Sequence, residues 1–412
     1  MRTKIISIFA AVVACALGRQ IAPAICDESV IHSFGSSRVD GGAPASSLLN
    51  VNGLLYGTTS AGGDNPQGGT AFVVDPSTGQ EQVLYSFCSG PRCSDGGKPS
   101  ASLIEVNGAL YGTTSIGGVN NKGSYSGGTI FSIYPGSGQE TVNYSFCNQQ
   151  NCADGQLPSA GLTELDGLLF GTTASGGAND EGTLFAFNPT TGQLQVLHTF
   201  GGGADGSSPR ATMIDVRGTL YGTTQSGGTY NGGTVFAFDP VTGAESIIYS
   251  FCSQQNCTDG SNPIGGLIRL DGSLYGTTYT GGAYNGGTLY SLSLKGGAAK
   301  TLYSFCSQSN CADGNGPYTS LVKFKGILYG TTSYGGTDGC HNFGCGTVFS
   351  LDPATGTETQ VYSFCSQQDC ADGANPGASL IHARGKLYGT TFVGGVSAIC
   401  QGGCGTVYAI TP

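Results

Sequence analysis

Apolar positions along this chain come in short runs, broken by Gly, Asn, Asp and Pro. Residues 98–146 show the pattern, with runs at Ser102–Val106, Ala109–Thr114, Thr129–Tyr134 and Glu140–Phe146. Runs of this length, rich in Val, Ile, Leu, Tyr, Phe and Thr and bounded by turn residues, predict β-strands. Asn107-Gly108 predicts a tight hairpin between the first two, because both residues accept the positive φ such a turn requires. Pro135-Gly136-Ser137-Gly138 predicts a second turn between the last two. The expected unit is an antiparallel meander of four strands, called a to d in chain order.

The unit recurs. A Gly-Thr-Thr tag begins at Gly57, Gly112, Gly171, Gly222, Gly276, Gly330 and Gly389, each behind Leu-Tyr or, once, Leu169-Phe170. A Gly-Gly pair follows each tag, then Gly-Thr with two apolar residues, and in most copies an Asp/Asn-Pro-x-Thr-Gly turn. A Tyr-Ser-Phe or His-Ser/Thr-Phe tag and an Asp-Gly-x-x-Pro segment complete the copy. Four short strands at a period of about 55 residues predict an all-β protein, a seven-bladed β-propeller with four-stranded blades. A linear solenoid would need distinct capping repeats, and both ends here are ordinary. The chain opens with a d-type strand, Glu28–Phe34, and closes on a c-type strand, Gly405–Ile410. The N-terminal strand is therefore expected to complete the last blade, which removes an exposed sheet edge.

The Leu-Tyr-Gly-Thr-Thr…Gly-Gly…Gly-Thr-Val-Phe…Pro…Thr-Gly…Tyr-Ser-Phe unit resembles the GloVer tandem repeats of exported bacterial proteins with variable anchors, over residues 28–412. More distantly it resembles kelch blades. The resemblance implies a propeller and export. It implies no defined activity and no catalytic residues. Members of that family often carry a C-terminal anchor, whereas this sequence ends at Pro412 inside a blade strand.

Composition narrows the partners. Charged residues make up 10% of the chain and the formal net charge is −10. That balance excludes phosphate-driven nucleic-acid binding and electrostatic docking on anionic membranes. The 16 cysteines point to an oxidising compartment. The N-terminus agrees: Met1-Arg2-Thr3-Lys4 is basic and Ile5 to Leu17 is apolar, as in a signal peptide. Cleavage is expected after Gly18, with Ala22-Pro23-Ala24 as a second choice. The division expected is a signal peptide over 1–18, a linker over 19–27 and one propeller over 28–412. Val12-Val13-Ala14-Cys15 also resembles a lipobox, leaving open a lipid anchor at Cys15, or an uncleaved anchor. No other stretch is long and apolar enough to span a bilayer.

The meander places d–a and b–c connections on one face. The other face receives terse turns such as Asn52-Gly53 and Asp166-Gly167. Binding belongs on the first face, where loops are long and variable. Its d–a loops hold Cys88/Cys93, Cys147/Cys152, Cys252/Cys257, Cys306/Cys311 and Cys365/Cys370, and its b–c loops hold Cys340/Cys345 and Cys400/Cys404. These read as seven local disulfides rather than metal thiolates, since each pair sits a blade from the next with no His at ligand spacing. In the two repeats without cysteines the loop is shorter, and Gly replaces the first Cys. Cys26 is left over.

Two sets of repeated residues have a functional and a structural reading. The aspartates Asp40, Asp95, Asp154, Asp205, Asp259, Asp313 and Asp372 could ring the channel mouth and hold a cation, or serve as turn residues bonding their own backbone two residues on; their uniformity favours the turn. The aromatics before each Gly-Thr-Thr read as blade-to-blade packing. His32 and His198 occupy the Tyr slot of their d strands and read as packing variants.

The variable b–c tips are the candidate ligand site: Tyr125, Tyr230, Asn231, Tyr284, Asn285, Tyr334, His341, Asn342 and Phe343. Mixed Tyr and Asn suit a polar polymer or a protein. There is no nucleophile elbow, zinc-protease motif or phosphate loop, so no catalytic, cofactor or metal residues are expected. The sequence reads as a secreted, monomeric, disulfide-stapled binding module for an extracellular polymer or protein. An envelope scaffold and a carbohydrate-active propeller enzyme are the alternatives.

Overall fold

A computed structural model describes residues 27–37, 39–120, 127–336 and 344–412. Seven antiparallel sheets form the blades of a propeller. Blade 2 is typical, with strands a to d at Ile104–Val106, Ala109–Thr114, Thr129–Tyr134 and Gln139–Ser145. Blade 7 is built from both ends of the chain. Its strands Ile381–Ala383, Lys386–Val393 and Thr406–Ile410 are completed by Glu28–Ser33. Glu28 pairs with Ile410 and Ser33 with Thr406, so the N-terminal strand closes the ring as expected.

The repeated motif explains itself in this geometry. Gly112 pairs across strands with Phe131, and a Cβ on Gly112 would lie 2.6 Å from the Phe131 ring. The glycine therefore makes room for an aromatic of its own blade. In six blades the first Thr of the tag reaches the next blade, with Thr113 Oγ1 donating to the Ala160 carbonyl at 3.2 Å. Thr390 does the same to Pro44 at 3.2 Å and so ties blade 7 to blade 1. The second Thr pairs with the Thr opening strand c, as in Thr114 and Thr129 with hydroxyls 2.8 Å apart. Both hydroxyls are fully buried and satisfied, which is the condition for holding polar groups inside a sheet stack.

The core lies between blades. Tyr56 of blade 1 packs with Phe87, Leu103, Leu110 and Phe131, and Tyr111 of blade 2 packs with Leu162, Leu169 and Phe185. The tag aromatics thus do join blade to blade. Strand a is shorter than the expected Ser102–Val106. It begins at Ile104, because Gly97 already bridges to Ile116 and the intervening segment bulges off the ladder. Ser102 then faces the central channel while Leu103 enters the core.

The aromatic seated on the tag glycine is Phe in five blades and Tyr290 or Tyr408 in two. Both tyrosine hydroxyls are buried with no hydrogen-bond partner. Tyr290→Phe and Tyr408→Phe are each expected to stabilise by about 1 kcal/mol, since removing an unsatisfied buried hydroxyl recovers its desolvation cost. Thermal unfolding of the two variants measures this; a loss of stability would contradict it.

Candidate functional site at the channel mouth

The d–a loops are locked by their aspartates. Asp95 Oδ2 accepts from the Tyr85 hydroxyl at 3.0 Å, the Ser89 N–H at 2.9 Å and the Ser89 hydroxyl at 2.8 Å, and Oδ1 accepts from Gly90 N–H at 3.0 Å. Asp154, Asp259, Asp313 and Asp372 repeat the arrangement with Tyr144, Tyr249, Tyr303 and Tyr362 at 2.7–2.8 Å. These carboxylates reach back five and six residues, not two residues forward. In these five blades the tyrosine hydroxyl joins the loop's own donors on the carboxylate, which supports the turn reading there over a ring of cation ligands.

Six disulfides staple the same face among the described residues: Cys88–Cys93, Cys147–Cys152, Cys252–Cys257, Cys306–Cys311, Cys365–Cys370 and Cys400–Cys404. Cys345 is also disulfide-bonded; its expected partner Cys340 lies outside the described residues, as do Cys15 and Cys26. In each d–a loop both cysteines adopt left-handed backbone, for example Cys88 at φ +61° and Cys93 at φ +55°. Where the cysteines are missing, glycines take such angles, at Gly35 (+85°) and at Gly202 and Gly203 (+65° and +54°). Glycine adopts them without strain. Staple and glycine are thus two solutions to one turn.

The central channel is a cavity of 190 Å³ lined by small residues from every blade. Several of its hydroxyls are committed to the ring itself. Ser320 Oγ accepts from Gly266 N–H at 2.9 Å, Ser379 Oγ from Ser320 N–H at 2.9 Å and Ser47 Oγ from Ser379 N–H at 3.1 Å. Three side chains in the wall break the repeat: Ile264; Arg210, its one charge; and Tyr318, its one aromatic. Tyr318 meets the Tyr279 ring edge-on at 6.0 Å. Burial, then the neighbouring Tyr334 and Tyr318, push the Tyr279 pKa up. Gly316 permits this packing, since its Cβ would lie 2.8 Å from the Tyr279 ring. Tyr318 and Tyr334 remain exposed, as does Phe392, which holds the Tyr279 position in blade 7.

Of the residues expected at the tips, only Tyr334 joins this cluster, from the end of strand b, where it pairs with Asn315. Tyr230 and Tyr284 are exposed on the loops of blades 4 and 5. Asn231 and Asn285 serve their own loops, accepting from Gly227 N–H at 3.3 Å and Gly281 N–H at 3.2 Å, with φ of +57° and +58°. Tyr125, His341, Asn342 and Phe343 lie outside the described residues. Sequence reading missed Tyr279 and Tyr318. The signal was available as a departure from the repeat. The residue after Gly-Thr-Thr is Ser60, Ser115, Ala174, Gln225 or Ser333 in five other copies and Phe392 in the sixth, and the residue after the loop proline is small in four copies.

No helix among the described residues is long and apolar enough to cross a membrane. No curated protein matches the chain. Two structures of the extracellular domain of BT4673 from B. thetaiotaomicron share its fold. One, described as a hybrid two component system, is 11% identical with a TM-score of 0.57, over 91% of this chain and 39% of that one. The other, described as a one component system, is 13% identical with a TM-score of 0.56, over 94% and 42%. This chain thus spans about two fifths of their length. The repeat model described as Gloeobacter/Verrucomicrobia repeat matches residues 20–147 and 119–344, and the chain belongs to that family.

Proposed function

We propose that this protein is an exported binding module that recognises an extracellular polymer or protein through the d–a/b–c face, at the mouth of its central channel. The observation that carries the reading is the asymmetric cluster of Tyr279, Tyr318 and Tyr334, with Arg210 in the same channel wall. A scaffold repeated seven times needs no such exception for its own stability. Three rigid aromatics with polar tips offer stacking surface and hydrogen bonds at low entropic cost, the combination that suits sugars and peptide side chains. Export through residues 1–18 fits the disulfides, which persist in oxidising compartments. The extracellular-domain neighbours agree with it.

The test is a screen of the native protein against arrayed glycans and against secreted and surface proteins, followed by variants of any hit. Tyr318→Ala and Tyr334→Ala are expected to weaken binding roughly tenfold each, as anchor aromatics do. Tyr230→Ala and Tyr284→Ala should change it less than threefold. Binding that survives Tyr318→Ala and Tyr334→Ala but is lost with Tyr230 and Tyr284 would move the site to the outer tips. A hit lost in neither pair would remove this face from consideration.

A further inference from the structure

Two interfaces between blades differ from the other five. In the five, the phenol of strand d bonds the loop aspartate. In the remaining two, His32 and His198 stand in the Tyr position, and a glutamate from strand d of the following blade meets them. His32, Asp40 and Glu81 bring three ligand atoms within 4.8 Å of one another, and so do His198, Asp205 and Glu245. These are also the two repeats whose d–a loops lack cysteines. The expectation of no metal site rested on spacing along the chain. Here the ligands come from two neighbouring blades, and spacing does not reveal them.

We propose that His32–Asp40–Glu81 and His198–Asp205–Glu245 are two divalent-cation sites of the zinc type, each cross-linking adjacent blades where the other d–a loops carry a disulfide. Several facts support this. The Nε2 of His32 and one oxygen each of Glu81 and Glu245 are shut off from solvent with no hydrogen-bond partner, so each triad holds ligand capacity the protein does not use. Asp40 is oriented by its loop: Oδ2 accepts from Gly35 N–H at 2.9 Å, Ser36 N–H at 3.0 Å and the Ser36 hydroxyl at 3.0 Å. Oδ1 accepts from Gly41 N–H at 2.8 Å and faces His32 Nε2 at 4.0 Å. Such outer-shell bonds hold a carboxylate in ligating geometry. At the second triad His198 Nε2 lies 3.2 Å from Asp205 Oδ1, and Gly201 N–H donates to Oδ2 at 2.6 Å.

One imidazole and two carboxylates suit zinc, with ligand distances of about 2.0–2.2 Å and a fourth position left for water. Calcium, which takes six to eight oxygens, is poorly served. The glutamate is retained at both histidine interfaces, whereas two of the five tyrosine interfaces have Leu194 or Ala299 in its place. The first site joins the N-terminal strand to blade 1, so its ion would pin the ring at its closure.

The test uses the full oxidised chain, stripped with EDTA and titrated with Zn²⁺ by calorimetry and with Co²⁺ by visible absorption. Two equivalents are expected, with Kd in the micromolar range or tighter. His32→Tyr and His198→Tyr install the residue of the other five blades, so the fold is expected to persist, and each should remove one equivalent; the double variant should bind none. Glu81→Gln should weaken one site at least tenfold while leaving the histidine and aspartate in place. Zn²⁺ should raise the Tm of the parent and leave the double variant unmoved. A parent that binds no Zn²⁺, or a double variant that keeps the parent stoichiometry, overturns the proposal. A single equivalent removed by His32→Tyr alone upholds the closure site and overturns the second.

Discussion

A chain shortened to begin at Gly35 is expected to lose its cooperative thermal transition and to aggregate. The shortening strips strand d from blade 7 and leaves Thr406–Ile410 with one unpaired edge. That edge belongs to a strand whose Val407, Tyr408, Ala409 and Ile410 are buried, so it is apolar as well as unpaired, the combination that recruits other chains. Phe34 goes with it. This ring is fully buried, packs with Leu48, Leu55, Phe72 and Val407, and lies 5.0 Å from the Phe72 ring. In the full chain, Phe34→Ala alone is expected to cost about 3–5 kcal/mol, as a large ring removed from a packed core does. A circular permutant separates closure from mere loss of residues. Thr411 N–H already bonds the Asp27 carbonyl at 3.2 Å, so a short turn can join strands c and d as in other blades. Reopened within the d–a loop at Gly202–Gly203, such a permutant should unfold within a few degrees of the parent. A shortened chain that melts cooperatively at the parental Tm would show that ring closure contributes nothing.

Much of this architecture was legible because it is local and periodic. Hairpin signals such as Asn107-Gly108 and the phase of the two ends lead directly to the meander and to a blade shared between termini. The paired cysteines come and go with their loops, which made the staples readable. Other features depend on neighbours that sequence spacing conceals. The partner of Asp95 is Tyr85, ten residues back, because the loop between them folds over the carboxylate. Strand a starts late because the segment before it turns to line the channel. The aromatic cluster escaped notice for a different reason: variable tips drew attention to Tyr230 and Tyr284, whereas Tyr279 and Tyr318 sit at repeat positions that are small in four of the other six copies. The Glu that recurs four residues before the strand-d Tyr or His carries no spacing signal of its partner. Only the packing of one blade on the next shows that it meets the preceding aspartate.

Those glutamates predict an unusual pH dependence, with stability expected to fall as pH rises from 5 to 8. Glu28, Glu140 and Glu358 each have one carboxyl oxygen shut off from solvent without a partner. Burial raises their pKa values to about 7, 7 and 8, and the nearby Asp372, Asp95 and Asp313 carboxylates add to the effect. The hydrogen bonding shows why the tyrosine does not relieve them. Tyr362 directs its one proton to Asp372 at 2.8 Å and is 3.4 Å from Glu28. A group whose folded pKa exceeds its unfolded value contributes stability that is complete below the unfolded value and lost as pH rises through the folded one. The window therefore runs from about 4.5 to about 8, opposite to the usual salt-bridged carboxylate. A full rise from 4.5 to about 7 or 8 would correspond to about 3–5 kcal/mol per group. These side chains are partly exposed, and solvent screening reduces that to on the order of 1 kcal/mol each. Three such groups give a drop of about 3 kcal/mol between pH 5 and pH 8, visible as a Tm lower by several degrees in EDTA-containing buffer. The control is built into the fold, since Leu194 occupies the same position in blade 3 and leaves that interface without a titrating partner. Glu358→Gln should raise Tm at pH 8, leave it nearly unchanged at pH 5 and flatten the profile in between. A Tm that is constant over this range, or that rises toward pH 8, would mean that these carboxyls are ionised in the folded ring and that water reaches them between the blades.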